Sequence, residues 1–400
     1  MFERGREPWI EGGPGIALEP VGITGFLGER EFRVTLGRAL IAIAVLLTAA
    51  HAAIQAAPAQ LCSRSMPVQA GGATLELRYC ADFDLLGAPR TQRRAVIALH
   101  GTDRNAVDYL RYVQDAADLA GERSRTLLVA PQFVTEEELR AYNLSPQTAY
   151  WSDSGWKQGN RSLDDPAFPR QGRVSSFAAL EQLIERLQQV APDLDTVVIA
   201  GHSAGGQFVQ RFAAGNDLDG NPDTVGIHYL VANPSSYLYF SDERLDRDLD
   251  QFIVPVSTGC RTWYNDYKYG LDELNSYMAA AGAGTIAQRY PGRRVAYLLG
   301  ADDDDPNSSS LDTSCAAQHQ GRHRRERGEI FARHLRDRFG VVEVGGHETS
   351  VIPGVGHSGR RMLQSDCALY YQFGRSDLAG ACNGLQATEP PGAPAGLNAR

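Results

Sequence analysis

Residues 196–206 read Thr-Val-Val-Ile-Ala-Gly-His-Ser-Ala-Gly-Gly, and no other stretch restricts the fold as much. Val197, Val198 and Ile199 form a β-branched run of the kind buried in a parallel sheet. Gly201-His202-Ser203-Ala204-Gly205-Gly206 ends that run, and residues 207–212 continue with helical character. Strand, G-x-S-x-G and helix in this order predict a strained turn that lifts a serine hydroxyl off the sheet edge. Side chains at 201 and 205 would collide with the adjoining strand and helix, so glycine is required there. The Ala204 N–H opens the helix and is placed to face an oxyanion.

The rest of the chain agrees with that start. Apolar runs at 73–80, 94–99, 126–130, 227–232 and 295–299 read as strands. The first alternates like an early edge strand, and Pro131 is expected to stop the third. Helical spacing marks 106–120, a segment carrying Phe177, Leu180, Ile184 and Leu187, a charged stretch at 322–339, and 358–363. This alternation predicts an α/β fold: a mostly parallel central sheet, helices on both faces, and loop or cap insertions at about 132–172 and 233–293. The second insertion is dense in aromatics, among them Tyr237, Tyr239, Phe240, Trp263, Tyr264 and Tyr269. Core beneath a loop is the plain reading of these; a carbohydrate or partner surface is the alternative.

A serine hydroxyl needs a base, and the base needs a group that orients it. In a parallel sheet the C-terminal ends of the strands share one edge, so acid and base should follow later strands, acid first. Gly300-Ala301-Asp302-Asp303-Asp304-Asp305 follows the strand at 295–299, and Asp303 is the expected acid. Asp302 is the alternative, while Asp305, next to Pro306, should serve the turn. Of nine histidines, His357, after Gly356, stands in the place of the base; His347 could compete. His100-Gly101-Thr102 follows the strand at 94–99, which makes the Thr102 N–H the expected oxyanion donor opposite Ala204. His100 and His202 should pack and hydrogen-bond locally.

The termini and cysteines bear on compartment. Arg33 and Arg38 precede an uncharged run at 39–50 and then small residues through Ala57, the order of a secretory signal peptide at 34–57. Its strongly apolar part is about a dozen residues, short of the roughly 20 that span a bilayer, so a membrane anchor is the alternative. Residues 1–33 read as a spurious or disordered extension and 385–400 as a disordered tail, leaving 60–384 as the folded domain. Cys62, Cys80, Cys260, Cys315, Cys367 and Cys382 form an even set without a C-x-x-C pair, which favours disulfides over a metal site. Proximity favours 62 with 80 and 367 with 382. Asp217, Asp219, Asn221 and Asp223 alternate like the start of a calcium loop, but Pro222 occupies the place of the turn glycine. A net charge of −9, spread along the chain, argues against nucleic acid as a partner.

His100-Gly101-Thr102, the Gly201–Gly206 turn, the acidic loop at Asp303 and Gly356-His357 together resemble the α/β-hydrolase superfamily. Within it they are similar to secreted bacterial serine esterases of the lipase and polyester-depolymerase kind, over roughly 94–365. The resemblance implies an α/β-hydrolase fold and cofactor-free, metal-free hydrolysis of a small or polymeric carboxylic ester. Ser203 attacks, His357 takes its proton, Asp303 steadies the imidazolium, and the Thr102 and Ala204 amides hold the oxyanion. A peptidase or acyltransferase using the same triad, or a catalytically silent binding protein, is the alternative. A secreted or periplasmic location, with no stable membrane span in the mature form, goes with it.

Overall fold

Six β-branched or aliphatic runs lie side by side and parallel: β3 (Arg94–Leu99), β4 (Thr126–Gln132), β5 (Thr196–His202), β6 (Gly226–Ala232), β9 (Arg294–Gly300) and β10 (His347–Ile352). Two antiparallel strands, β1 (Arg64–Gln69) and β2 (Thr74–Ala81), extend one side, giving the order β1-β2-β4-β3-β5-β6-β9-β10. A separate pair, β7 (Arg244–Asp246) and β8 (Gln251–Ile253), lies in the 233–293 insertion. This computed structural model describes residues 60–221, 224–256, 259–260, 263–340 and 346–382. The extension 1–33, the signal-like segment 34–57, the tail 385–400 and Asp223 lie outside the described residues.

Strand periodicity divides the core in two. Ala95, Ile97 and Leu99 of β3, with Val197 and Ile199 of β5, face one layer; Val96, Ala98, Val198 and Ala200 face the other. The first layer is completed by the helices Ser176–Val190, Ala204–Gly215 and Arg324–Phe339, the second by Ala106–Ala120, Gly359–Leu363 and Asp366–Phe373. Helices therefore cover both faces, as the alternation of elements predicts.

Two sequence expectations need correction. The strand at 73–80 is not an edge: β1 covers it, pairing Arg64 with Tyr79 through Gln69 with Thr74. β1 is hard to read because Pro67 breaks its pattern, and proline is tolerated on an outer strand where its missing N–H costs no ladder bond. Nor does Pro131 stop β4. β3 pairs with β4 only through Val129, so Pro131 sits where just β2 is alongside, opposite Tyr79.

The aromatics of the second insertion are mostly core. Tyr237, Tyr239, Phe240 and Tyr264 are buried, while Trp263 stays exposed. Disulfides join Cys62 to Cys80, Cys260 to Cys315 and Cys367 to Cys382. The second ties this insertion to the chain just beyond the acidic loop.

Several histidines are buried and neutral. Burial holds His100 and His347 down to about 4 and His334 to about 3. An unfolded histidine titrates near ~6.5, so between there and about pH 4 the unfolded chain binds protons that the folded one does not. Stability from these three is complete above pH ~6.5 and falls as the pH drops, by about 1.4 kcal/mol per pH unit for each. The melting temperature should therefore decline steadily from pH 7 towards 4.5. A flat profile over that range would contradict the account.

Candidate active site

The turn after β5 is built as its glycines require. Ser203 has φ 58° and ψ −119°, a conformation that costs energy in a residue with a Cβ. Its N–H donates to the Ala232 carbonyl at 2.9 Å, which pins the strained residue to β6. A Cβ on Gly201 would lie 2.3 Å from the Gly205 carbonyl oxygen, and one on Gly205 would lie 2.3 Å from that of Leu99. No other side chain fits at either position, so the helix Ala204–Gly215 can start directly behind the serine.

Two loops at the same sheet edge converge on Ser203. His357 Nε2 lies 3.0 Å from Ser203 Oγ, and His357 Nδ1 lies 2.7 Å from Asp303 Oδ2. Asp303 is buried, whereas Asp302, Asp304 and Asp305 are exposed. Asp305 accepts from the Asn307 N–H at 2.9 Å, which is turn service. The other Asp303 oxygen accepts from Arg324 at 3.3 Å. Arg324 is itself buried and also donates to Ser308 at 3.1 Å and to Ser310 at 2.9 Å. This guanidinium fixes the carboxylate plane.

His202 lies under His357, ring centroids 4.6 Å apart. Burial holds it well below the ordinary histidine range, and a charged His357 would hold it lower still, so it stays neutral beneath the base. Asn233, at φ 43°, closes the arrangement: its side-chain oxygen accepts from the Gly300 N–H at 2.7 Å, and its NH2 donates to the Gly356 carbonyl at 3.3 Å. One side chain thus joins the ends of β6 and β9 to the loop that carries His357.

The loop after β3 is held just as firmly. His100 Nε2 accepts from the Phe133 N–H at 3.1 Å, leaving Nδ1 to donate to the Gly101 carbonyl at 2.9 Å. Arg104 donates to the Thr102 carbonyl at 3.2 Å and to buried Glu138, in the first insertion, at 2.7 Å. Thr102 and Ala204 line one cleft of about 220 Å³ with Ser203. Ala204 opens its helix, so its N–H has no acceptor within the helix and is available to the cleft.

No protein-family model and no curated protein matches this chain. Solved structures do. Poly(aspartic acid) hydrolase-1 from Sphingomonas sp. KT-1 aligns with a TM-score of 0.50 at 23% identity, covering 76% of this chain and 97% of that one. The chain has the α/β-hydrolase fold. LpqC, a poly(3-hydroxybutyrate) depolymerase from Bordetella parapertussis, aligns at 0.49 and 23% identity, covering 81% of this chain and 95% of its own. An S-formylglutathione hydrolase from Agrobacterium tumefaciens aligns at 0.38 and 14% identity, over 80% and 94%.

Within this hydrolase fold the remaining candidates sit apart from the cleft. His347 starts β10 and is bound between the Tyr297 hydroxyl and the Tyr290 carbonyl, at 3.2 and 2.9 Å, so it does not compete for the base position. His323 caps the helix Arg324–Phe339. Asp217 pairs with Arg289 and Asp219 with Arg293, so the two described carboxylates of the calcium-like pattern have arginine partners. Among the described residues the one group of close metal-capable donors is Cys260, Cys315 and His319, and its cysteines are joined in a disulfide. No helix among the described residues is long and apolar enough to cross a membrane.

Sequence reasoning missed Arg324, Asn233, Lys157 and Lys268. Asn233 directly follows β6 at the edge where functional loops gather, which was a usable signal. Arg324 is one of seven arginines between 322 and 338, and its burial, which sets it apart from most of them, does not show in a sequence.

Proposed function

We propose that this protein is a serine hydrolase that cleaves carboxylic esters through an acyl-enzyme, with Ser203 as nucleophile, His357 as base and Asp303 as its orienting acid. The hydrogen-bonded chain from Asp303 Oδ2 through His357 to Ser203 Oγ, at 2.7 and 3.0 Å, carries this reading. As Ser203 Oγ bonds to the ester carbon, its proton passes to His357 Nε2, and negative charge develops on the carbonyl oxygen. The Thr102 and Ala204 N–H groups stabilise that charge. Collapse breaks the carbon–alkoxy bond, and His357 returns the proton to the departing alcohol. Water then attacks the acyl-enzyme, giving one proton to His357 and releasing the acid, while Ser203 Oγ recovers the proton. Asp303 and Arg324 hold charge and orientation throughout and exchange no proton.

A panel of neutral and acidic esters beside a peptide tests the reaction class. Ester turnover that depends on Ser203, with no peptide cleavage, is the expected outcome. Cleavage of the peptide alone would replace the reading by a peptidase.

Three disulfides suit an oxidising compartment, and with the signal-like segment they support export. Exported protein should begin between about residues 53 and 60 and resist alkylation until reduced. Reduction should lower the melting temperature, since closing loops of 15 and 18 residues contributes about 3 kcal/mol each in the chain-entropy picture. Intact mass spectrometry checks this; six free thiols in exported protein would overturn it.

A further inference from the structure

The cleft beside Ser203 is poorly suited to an alkyl chain. Sites for neutral organic molecules are lined mainly by apolar side chains. Here Ala204 and Leu311 are the apolar residues, against Lys157, Lys268, Asp312 and a group of serines. The two lysines come from different places: Lys157 from the 3-10 turn Trp156–Gln158 in the first insertion, Lys268 from the second. Two segments distant in sequence thus each bring an ammonium group to the wall of one small cleft.

The charges there do not balance. Lys268 lies 3.3 Å from Asp312, whose oxygen also accepts from the Tyr269 hydroxyl at 2.9 Å. Lys157 has no carboxylate at ion-pair distance among the described residues. Behind it, fully buried Arg211 donates to the Lys157 carbonyl at 3.2 Å and to Ser236 at 3.1 Å, and it too has no acidic ion-pair partner among the described residues. Three cations therefore surround the Asp312 carboxylate, while Asp153, which also acts on Lys157, is exposed and pairs with Arg104. Burial, then repulsion from Lys268 and Arg211, pulls Lys157 down to about 8, and burial with Arg211 lowers Lys268. An anion entering the cleft would relieve that repulsion, and the serine hydroxyls would add hydrogen bonds to it.

We infer that the substrate carries a carboxylate near its scissile ester, as in a dicarboxylic acid half-ester, and that Lys157 and Lys268 bind this carboxylate while Ser203 attacks the ester carbonyl. This rests on the serine hydrolase reading and adds the substrate class to it. The cleft volume of about 220 Å³ suits a short acyl group, with any longer part of the substrate outside.

The test compares initial rates on monoethyl glutarate and on its neutral counterpart, diethyl glutarate, followed by titration of released acid. Charge-assisted hydrogen bonds of this kind support a preference for the acidic ester of about 30-fold in kcat/KM. The preference should shrink at high salt. Lys157→Met with Lys268→Met should collapse the ratio to about unity, and Lys157→Arg with Lys268→Arg should keep most of it. Because the readout is a ratio, a general loss of activity does not mimic the effect. Wild-type protein that hydrolyses the diethyl ester as well as or better than the half-ester overturns the inference and leaves the hydrolase reading standing. Protein that hydrolyses neither ester and takes up no fluorophosphonate overturns both.

Discussion

Ser203→Ala should lower ester turnover by about 10⁴–10⁶-fold without unfolding the protein. The size follows from the geometry. His357 Nε2 lies 3.0 Å from the hydroxyl that the variant removes, and no other hydroxyl among the described residues is hydrogen-bonded to that nitrogen. Alanine keeps the Cβ that the strained backbone at φ 58° already accommodates, so no new clash arises at the turn. The Ser203 N–H bond to the Ala232 carbonyl is also kept. Residual catalysis over water should persist, because the oxyanion amides and the cleft remain. Steady-state kinetics with circular dichroism of the variant provides the check. Near wild-type turnover would remove Ser203 from the mechanism.

Asp303→Asn should cost on the order of 10⁴ in kcat. An amide in this position can present its NH2 to His357 Nδ1, favouring the tautomer in which Nε2 carries the proton and cannot accept one from Ser203. It also loses the charge that Arg324 faces at 3.3 Å, leaving a buried guanidinium without its carboxylate. The variant should therefore be both slow and less stable, by a few kcal/mol at most. Asp302→Asn, Asp304→Asn and Asp305→Asn alter exposed side chains and should change kcat less than about threefold. If Asp302→Asn proved the crippling change, the acid would be one residue earlier and the loop would have to turn differently in solution.

The framework was legible because parallel strands and their C-terminal loops obey strong rules. Buried β-branched runs marked β3, β5, β6 and β9, and the shared edge of the sheet then dictated where Asp303 and His357 should fall. The same rules placed Thr102 and Ala204 on one cleft with the serine. What stayed hidden lacked either periodicity or position. β1 is short and broken by Pro67. Arg324 is a buried arginine within a helix that is charged throughout, so composition conceals it. Lys157 and Lys268 lie more than a hundred residues apart in irregular insertions, and only the folded chain brings them together. Asn233 was the most accessible of the missed residues, since a polar side chain directly after a buried strand at the functional edge has a reason to be there.

The central claim is that Ser203 is an activated nucleophile, and reaction with a fluorophosphonate tests it most directly, because the reagent needs a basic histidine and an oxyanion site but no particular acyl group. Peptide mapping by mass spectrometry after a short exposure should find a single phosphonyl adduct, on the peptide containing Ser203. The adduct should be lost in Ser203→Ala and greatly slowed in Asp303→Asn. Folded protein that stays unmodified, or that carries its adduct on another residue, would contradict the account.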